Sequence, residues 1–424
     1  MIDCRRGAIA MVVVLVLGVA ACEAATPPSA SPASPAMSKM SDATVPTTSV
    51  PQSDEPTTPR PERSIRPSAN RLDLEVGTID PSLLWPMLEF ASDSYGIIWS
   101  SGVVDGPAAH TAPDLWRYVP GTDEPVLLWQ NPDRDRQLAK IAGDTDLWAF
   151  AEISSEGERW WKLWVMAEAD GVARLIDAQA GVPNVPDLVP SFDVDAGRVT
   201  WTSFHPGATA GSAVSQLWIA EAPTWEARLL AEHDAAARAL WLPSLLGSRL
   251  AYVDVTIADD PAEDIRHVML LDLADPEGAA HQLDTSGNAS MPVVSDGSVI
   301  WKEPDVGFAM FNWGRLMRYA FDTETVTGVR MMPQEYLNYP SGGGRWIAAW
   351  GADSSTFTVH DLERGVTRSI GHFDPETESI GRPHVAGDLL VWMRRQEVGT
   401  GTAPPAPLEY AWLPGPGTDR GTEP

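Results

Sequence analysis

One unit is written seven times along this chain, at a spacing of roughly 49 residues. Its mark is a short apolar run ending in an aromatic, most often just after a glycine or aspartate turn. The runs are Gly96-Ile-Ile-Trp99, Leu147-Trp-Ala-Phe150, Val199-Thr-Trp201, Leu250-Ala-Tyr252, Val299-Ile-Trp301, Ile347-Ala-Ala-Trp350 and Leu390-Val-Trp392. Fixed periods of this length belong to solenoids, propellers and arrays, in which a unit cannot bury its faces alone and must stack on its neighbours. The repeat therefore constrains the architecture before any local reading does.

The order of elements inside each unit is the same. An X-Pro step opens a short apolar strand, as at Trp85-Pro86, Val189-Pro190, Leu242-Pro243, Met291-Pro292, Tyr339-Pro340 and Arg382-Pro383. Proline is tolerated at a first strand position because its missing N–H is not yet needed by the ladder. A Gly/Asp hairpin turn, the aromatic run, a variable loop, a third strand and a fourth then follow. Four short antiparallel strands per unit predict an all-β chain, a β-propeller of seven blades. Six or eight blades is the alternative, because the second unit lacks the X-Pro step. The last unit ends after three strands, and residues 71–76, which alternate with period two, are its expected fourth. Closure by that N-terminal strand would remove an open sheet edge. Most of the 18 tryptophans then serve as packing between blades.

The stretch Met291-Pro-Val-Val-Ser-Asp-Gly-Ser-Val-Ile-Trp301, followed by Leu316-Met-Arg-Tyr-Ala-Phe-Asp322, resembles the repeat of TolB-like and WD-like propellers. The resemblance covers residues 71–413. It implies ligand or protein binding on a propeller face and carries over no catalytic residue. The N-terminal α/β domain of the TolB-like family is replaced here by a linker, so no role in envelope assembly is implied.

Arg5 and Arg6 precede an apolar stretch over residues 8–21, too short for the ~20 residues that span a bilayer and of the length of a signal-peptide core. It ends in Val19-Ala-Ala-Cys22, similar to a bacterial lipobox, which predicts cleavage before Cys22 and its lipidation. Residues 1–21 are then a lipoprotein signal peptide and residues 22–70 a Pro/Ser/Thr-rich tether with little to bury. Residues 71–414 are the propeller, and residues 415–424 a disordered tail. The expected location is the extracytoplasmic face of the cell membrane, lipid-anchored. The net charge is −28, and −29 without residues 1–21, which carry a net +1. Such acidity disfavours nucleic acid as a partner.

No Gly-x-Ser-x-Gly turn, His-Glu-x-x-His motif or phosphate-binding glycine loop occurs, and the eight histidines lie at no ligand spacing. No cofactor or metal is expected; the acidic run Asp259-Asp-Pro-Ala-Glu-Asp264 fits no calcium loop and reads as a solvated face. The strand starts should share one rim of the central tunnel and bring together Trp85, Arg136, Trp241, Asn338, Tyr339 and Arg382. Such a rim suits an anionic ligand, a glycan or a peptide carboxylate. The expected function is a non-catalytic, membrane-tethered binding module for protein, peptide or glycan. The alternative is a propeller enzyme, a glycoside hydrolase or lyase acting at the central rim. Hydrolysis would need two carboxylates roughly 5–10 Å apart across the tunnel, and only Asp187 and Glu89 fall near the expected place.

Overall fold

Each repeat folds as four antiparallel strands, and seven such sheets stand around one axis as a seven-bladed β-propeller. The structure is a computed structural model that describes residues 72–415 apart from residues 73, 80–89, 94, 102–113, 123, 133–135, 155–159, 181–187, 276–277, 305–313, 330–336, 352–356, 371–377 and 397–406. Cys22, Trp85, Glu89 and Asp187 lie outside the described residues, as do residues 1–70 and 416–424. The innermost strands of successive blades touch all the way round, blade 7 against blade 1 included. Blades 5 and 6 are also bridged by one ladder pair, Gly314 with Leu337.

The aromatic runs are the second strands, and their rings fill the space between blades. Trp99, Trp148, Trp201, Trp301, Trp346 and Trp392 of the second strands, with Trp161 of the third strand of blade 2, are all buried almost completely. One core cluster joins Leu147, Ala149 and Trp161 of blade 2 to Phe192, Val194 and Trp201 of blade 3. Another joins Phe90, Ile97 and Trp99 of blade 1 to Leu389, Val391 and Leu408 of blade 7. Each fully buried large side chain contributes on the order of 1.5–3 kcal/mol, so the interfaces between blades hold the ring without a disulfide.

Two expectations change in detail. The closing strand is Gly77–Ile79, which pairs antiparallel with Leu408–Trp412 of blade 7, rather than residues 71–76. Leu72 instead donates its N–H to Ser369 O in blade 6 and packs with Trp346 and Trp392. The apolar alternation reads this segment as one strand, whereas its first half is spent on blade 6 and its second on blade 7.

The X-Pro steps are the second correction. In blades 4, 5 and 6 they do not open the innermost strand but lie inside it, at a bulge. Leu242 and Pro243 together face the one residue between Ala251 and Val253; Met291-Pro292 and Tyr339-Pro340 repeat this. The residue before each proline takes positive φ: 50° at Leu242, 54° at Met291 and 48° at Tyr339. A bulge leaves its extra residue out of the ladder, so proline's missing N–H costs nothing there, and the strand re-aims a side chain.

Candidate functional site in the central channel

The innermost strands of blades 2 to 7 each end in a two-residue hairpin. The last residues paired before the turn are Asp144, Asp195, Leu246, Ser295, Gly343 and Ala386. Counting back from these sorts the channel wall into tiers. Two residues back stand Ala142, Asp193, Ser244, Val293, Ser341 and His384. Four residues back stand Lys140, Ser191, Leu242, Met291, Tyr339 and Arg382. Both tiers line one cavity of about 630 Å³ on the axis.

The tier at the turns is a set of latches between blades. Ala196 donates its N–H to Asp144 Oδ2 at 2.8 Å, Gly247 to Asp195 Oδ2 at 2.7 Å, and the Ser295 hydroxyl to the Gly344 carbonyl. Burial raises the Asp195 carboxyl above its ordinary range; the Gly247 bond opposes this and the Asp144 charge adds to it. Asp144 and Asp195 are therefore a carboxylate pair close enough to interact, at the turn end of the channel.

The middle tier continues the latches and adds titratable groups. Leu245 donates to Asp193 Oδ2 at 2.8 Å, Val294 to Ser244 Oγ at 3.0 Å, and Val385 to Ser341 Oγ at 3.0 Å. Burial pushes the Asp193 carboxyl up to about 6, against the bonds from Leu245 and Val194 and the charge of Lys140. His384 takes the equivalent place in blade 7, edge-on to Phe90 at 5.9 Å. Burial, with the charges of Arg382 and Lys140, holds its imidazole down to about 4, so it is neutral at physiological pH.

The outer tier is cationic on one side. Arg382 lies over the Tyr339 ring at 4.3 Å, and Lys140 Nζ lies over the Phe192 ring at 5.1 Å. Each cation thus rests on an aromatic of an adjacent blade, which fixes a long side chain that would otherwise sweep a wide volume.

Of the residues expected at the rim, Tyr339 and Arg382 are in this tier, and Trp241 lines the same cavity one residue earlier in its strand. The Asn338 backbone pairs with Trp350. Arg136 does not line this cavity: it opens its strand four residues before Lys140 and lies over Trp160 at 4.2 Å. Lys140, Asp193 and His384 went unseen, since the count that finds them runs back from the hairpin turns and not forward from the prolines.

His205 offers an instructive contrast. Its Nε2 meets both Ser203 Oγ at 2.9 Å and Asp177 Oδ2 at 3.2 Å. A serine nucleophile needs its histidine to face the hydroxyl with one ring nitrogen and the carboxylate with the other. This cluster ties blade 2 to blade 3 and is not a triad. Among the described residues, no group of three or more His, Cys, Asp or Glu could hold a metal ion.

No family model matches this sequence, and no curated protein matches it. Solved structures do. The chain is similar to the β-propeller domain of the trilobed protease from Pyrococcus furiosus, at 9% identity and a TM-score of 0.51, over 80% of this chain and 98% of that one. It is similar to an oligogalacturonate lyase from Vibrio parahaemolyticus at 11% identity and a TM-score of 0.46, over 81% and 98%. It is also similar to acylaminoacyl peptidase from Pyrococcus horikoshii at 11% identity and a TM-score of 0.43, over 66% and 46%. The chain spans about half the length of the peptidases it matches. At these identities the likeness shows the fold.

The expectation of a non-catalytic binding module is corrected here. The solved structures that stand against it are enzymes by name: prolyl endopeptidase, acylaminoacyl peptidase, oligogalacturonate lyase and puromycin hydrolase.

Proposed function

We propose that the chain is a propeller enzyme acting in its central channel on an anionic glycan, as a lyase that cleaves by elimination beside a carboxylate. The observation that supports this best is the stacking of two tiers: cations Lys140 and Arg382 above the half-buried Asp193, whose carboxyl sits at about 6. Elimination needs a cationic site to neutralise the substrate carboxylate, so that the neighbouring carbon gives up its proton. Arg382 and Lys140 fill that role. Asp193, a stronger base than an ordinary carboxylate, takes the proton; the freed electron pair forms the double bond, and the glycosidic oxygen departs. The same carboxyl then returns the proton to that oxygen. Neutral His384 lies beside both cations without competing for the substrate's charge. Acid–base catalysis of this kind is worth on the order of 10²–10⁴ in rate.

A second reading rests on Asp144 and Asp195 at the turn end of the channel, where the Asp144 charge helps to raise the Asp195 carboxyl, an arrangement that suits hydrolysis by two carboxylates. One experiment separates the two. The full chain is incubated with a panel of uronate-containing oligosaccharides, following both unsaturated products and new reducing ends. Unsaturated products that disappear in Asp193→Asn support the lyase. Reducing ends without unsaturation, lost in Asp195→Asn, support the hydrolase, and neither product across the panel overturns the enzyme reading.

We propose further that the enzyme is exported and held on the extracytoplasmic face of the membrane by lipid on Cys22. The support is the lipobox-like Val19-Ala-Ala-Cys22 at the end of a short apolar run. Labelled fatty acid should enter the wild-type chain and not Cys22→Ser, which should leave the membrane fraction; equal labelling would refute the anchor. The loose likeness of its repeats to TolB-like propellers belongs to the same reading.

A further inference from the structure

The carboxylate of the middle tier is held by three donors. Asp193 lines the cavity. It accepts the Val194 N–H on Oδ1 at 3.0 Å, the Leu245 N–H on Oδ2 at 2.8 Å, and a hydrogen bond from the Ser244 side chain. A carboxylate offers about four acceptor positions, so these donors leave one for whatever enters the channel. Two of the three donors come from blade 4. The Ser244 hydroxyl is itself fixed, because its oxygen accepts the N–H of Val294 in blade 5 at 3.0 Å. An ionised carboxylate can only accept, so the hydroxyl proton is committed to Asp193. The hydrogen bonds thus run from Val294 to Ser244 to Asp193, across three blades.

Ser244 reaches this place through the bulge in its strand. The ladder passes from Trp241 to Ser244 in three residues, while the partner strand passes from Val253 to Ala251 in two. In a regular strand Pro243, which has no hydroxyl, would stand opposite Ala251. Ser341 of blade 6 makes an equivalent latch after a bulge of the same kind, accepting the Val385 N–H at 3.0 Å. The middle-tier side chain before Ser341 round the ring is Val293, which has no oxygen to accept a proton. The side chain before Ser244 is Asp193.

We propose that Ser244 is a positioning residue for Asp193: its hydroxyl donates to the carboxylate, favours the ionised form and leaves one acceptor position to the channel. This rests on Asp193 being the base proposed above, and it names the group that prepares that base. A donor to the charged form of an acid favours that form, whereas burial opposes it. Asp193 sits at about 6 with the hydroxyl in place. Without the hydroxyl the carboxyl stays protonated to higher pH, and a carboxyl that is protonated near neutrality cannot take a proton from substrate.

The test follows the Asp193 carboxyl carbon by NMR in the full chain carrying labelled aspartate, from about pH 4 to about pH 8. Its resonance is identified by its loss in Asp193→Asn. Ser244→Ala should move the titration midpoint upward by at least about half a pH unit, the effect of losing one hydrogen bond to a charged group. Ser244→Thr keeps the hydroxyl and should restore the wild-type midpoint. Ser244→Cys keeps the size with a weaker donor, so it should move the midpoint the same way by less, and it carries the test if the alanine variant does not fold. Ser341→Ala removes the equivalent latch and should leave the Asp193 midpoint in place. A midpoint unmoved in the folded variants that lack the Ser244 hydroxyl would overturn the proposal, as would an equal rise in Ser341→Ala. The acid limb of unsaturated-product formation should shift with the midpoint in the same variants. A midpoint that moves as stated in a protein that forms no unsaturated product upholds the role of Ser244 and sinks the lyase, so the two failures are told apart.

Discussion

Ala196 takes φ of 48° and Gly197 takes 76°, in the two-residue turn between the first two strands of blade 3. Positive φ at both places is the type I′ turn, for which Asn-Gly is favoured and a methyl-bearing alanine is not. Ala196→Asn is expected to stabilise the protein by about 0.5–1 kcal/mol, seen as a higher urea midpoint. An unchanged midpoint would mean that the turn relaxes when alanine is present. Asp193, two residues before this hairpin, makes the opposite kind of contribution. Its folded-state value of about 6 lies above the ordinary 3.8, so the protonated form is favoured by folding. The stability it confers is complete below 3.8 and is lost as pH rises through about 6. Asp193→Asn should therefore abolish that fall, so that the urea midpoint of the variant exceeds that of wild type increasingly as pH rises through the window. His384 tilts the other way: its value is lowered from 6.5 to about 4, so its contribution is lost as pH falls through that range. A difference between wild type and the Asn variant that stays constant from pH 3.8 to above 6 would sink the assignment.

The innermost strand is the element in which fold and candidate site meet. Its side chains two places before the hairpin satisfy a backbone N–H of the next blade, and this is repeated at Asp193, Ser244 and Ser341. Ser244 and Val294 are both buried, so removing the hydroxyl strands an amide in the interior. Ser244→Ala is expected to cost about 1–3 kcal/mol and to speed exchange of the Val294 amide before global unfolding. If Val294 exchanges no faster than in wild type, the latch is not what holds blades 4 and 5 in register. These contacts explain what the sequence could and could not reveal. The four-strand order was legible because turns, β-branched runs and aromatics recur at fixed places. The bulges were not, because Leu-Pro, Met-Pro and Tyr-Pro look the same at a strand start as inside one; only the pairing partner across the ladder tells them apart. Tyr339 and Arg382 were found because they precede prolines. Lys140 has no such mark beside it, and His384, which follows Pro383, belongs to the site only through its count from a turn.

The ring as a whole depends on residues far apart in the chain meeting at one seam. Gly77–Ile79 supplies the outer strand of blade 7, pairing with Leu408–Trp412, while Ile79 packs beside Trp99 and Leu389 at the interface with blade 1. Sequence alternation signalled that an N-terminal strand closes the ring but placed it a few residues early, since Leu72 and Leu74 also face a core, that of blades 6 and 7. Gly77 has a specific reason to be glycine: it stands opposite Tyr410, and a Cβ there would fall inside the tyrosine ring. That ring is in turn held against Tyr118 of blade 1, with the two hydroxyls 3.4 Å apart, so it cannot swing away without disturbing the seam. A propeller left open at this seam would expose the last strand of blade 7 and free blades 1 and 7 to part. Removing residues 1–70 is therefore expected to leave the melting midpoint of the propeller unchanged. Removing residues 1–79 takes away the strand together with the buried side chain of Ile79, a loss of at least about 1.5–3 kcal/mol from that side chain alone. Its midpoint should fall by several degrees, with concentration-dependent association through the bared edge. Gly77→Val should lie between the two, because it disturbs the seam and keeps the strand. Equal midpoints for the two truncated chains would show that the ring closes through blade packing alone and that the strand merely covers its edge. A fall already present on removing residues 1–70 would instead assign part of the stability to the tether.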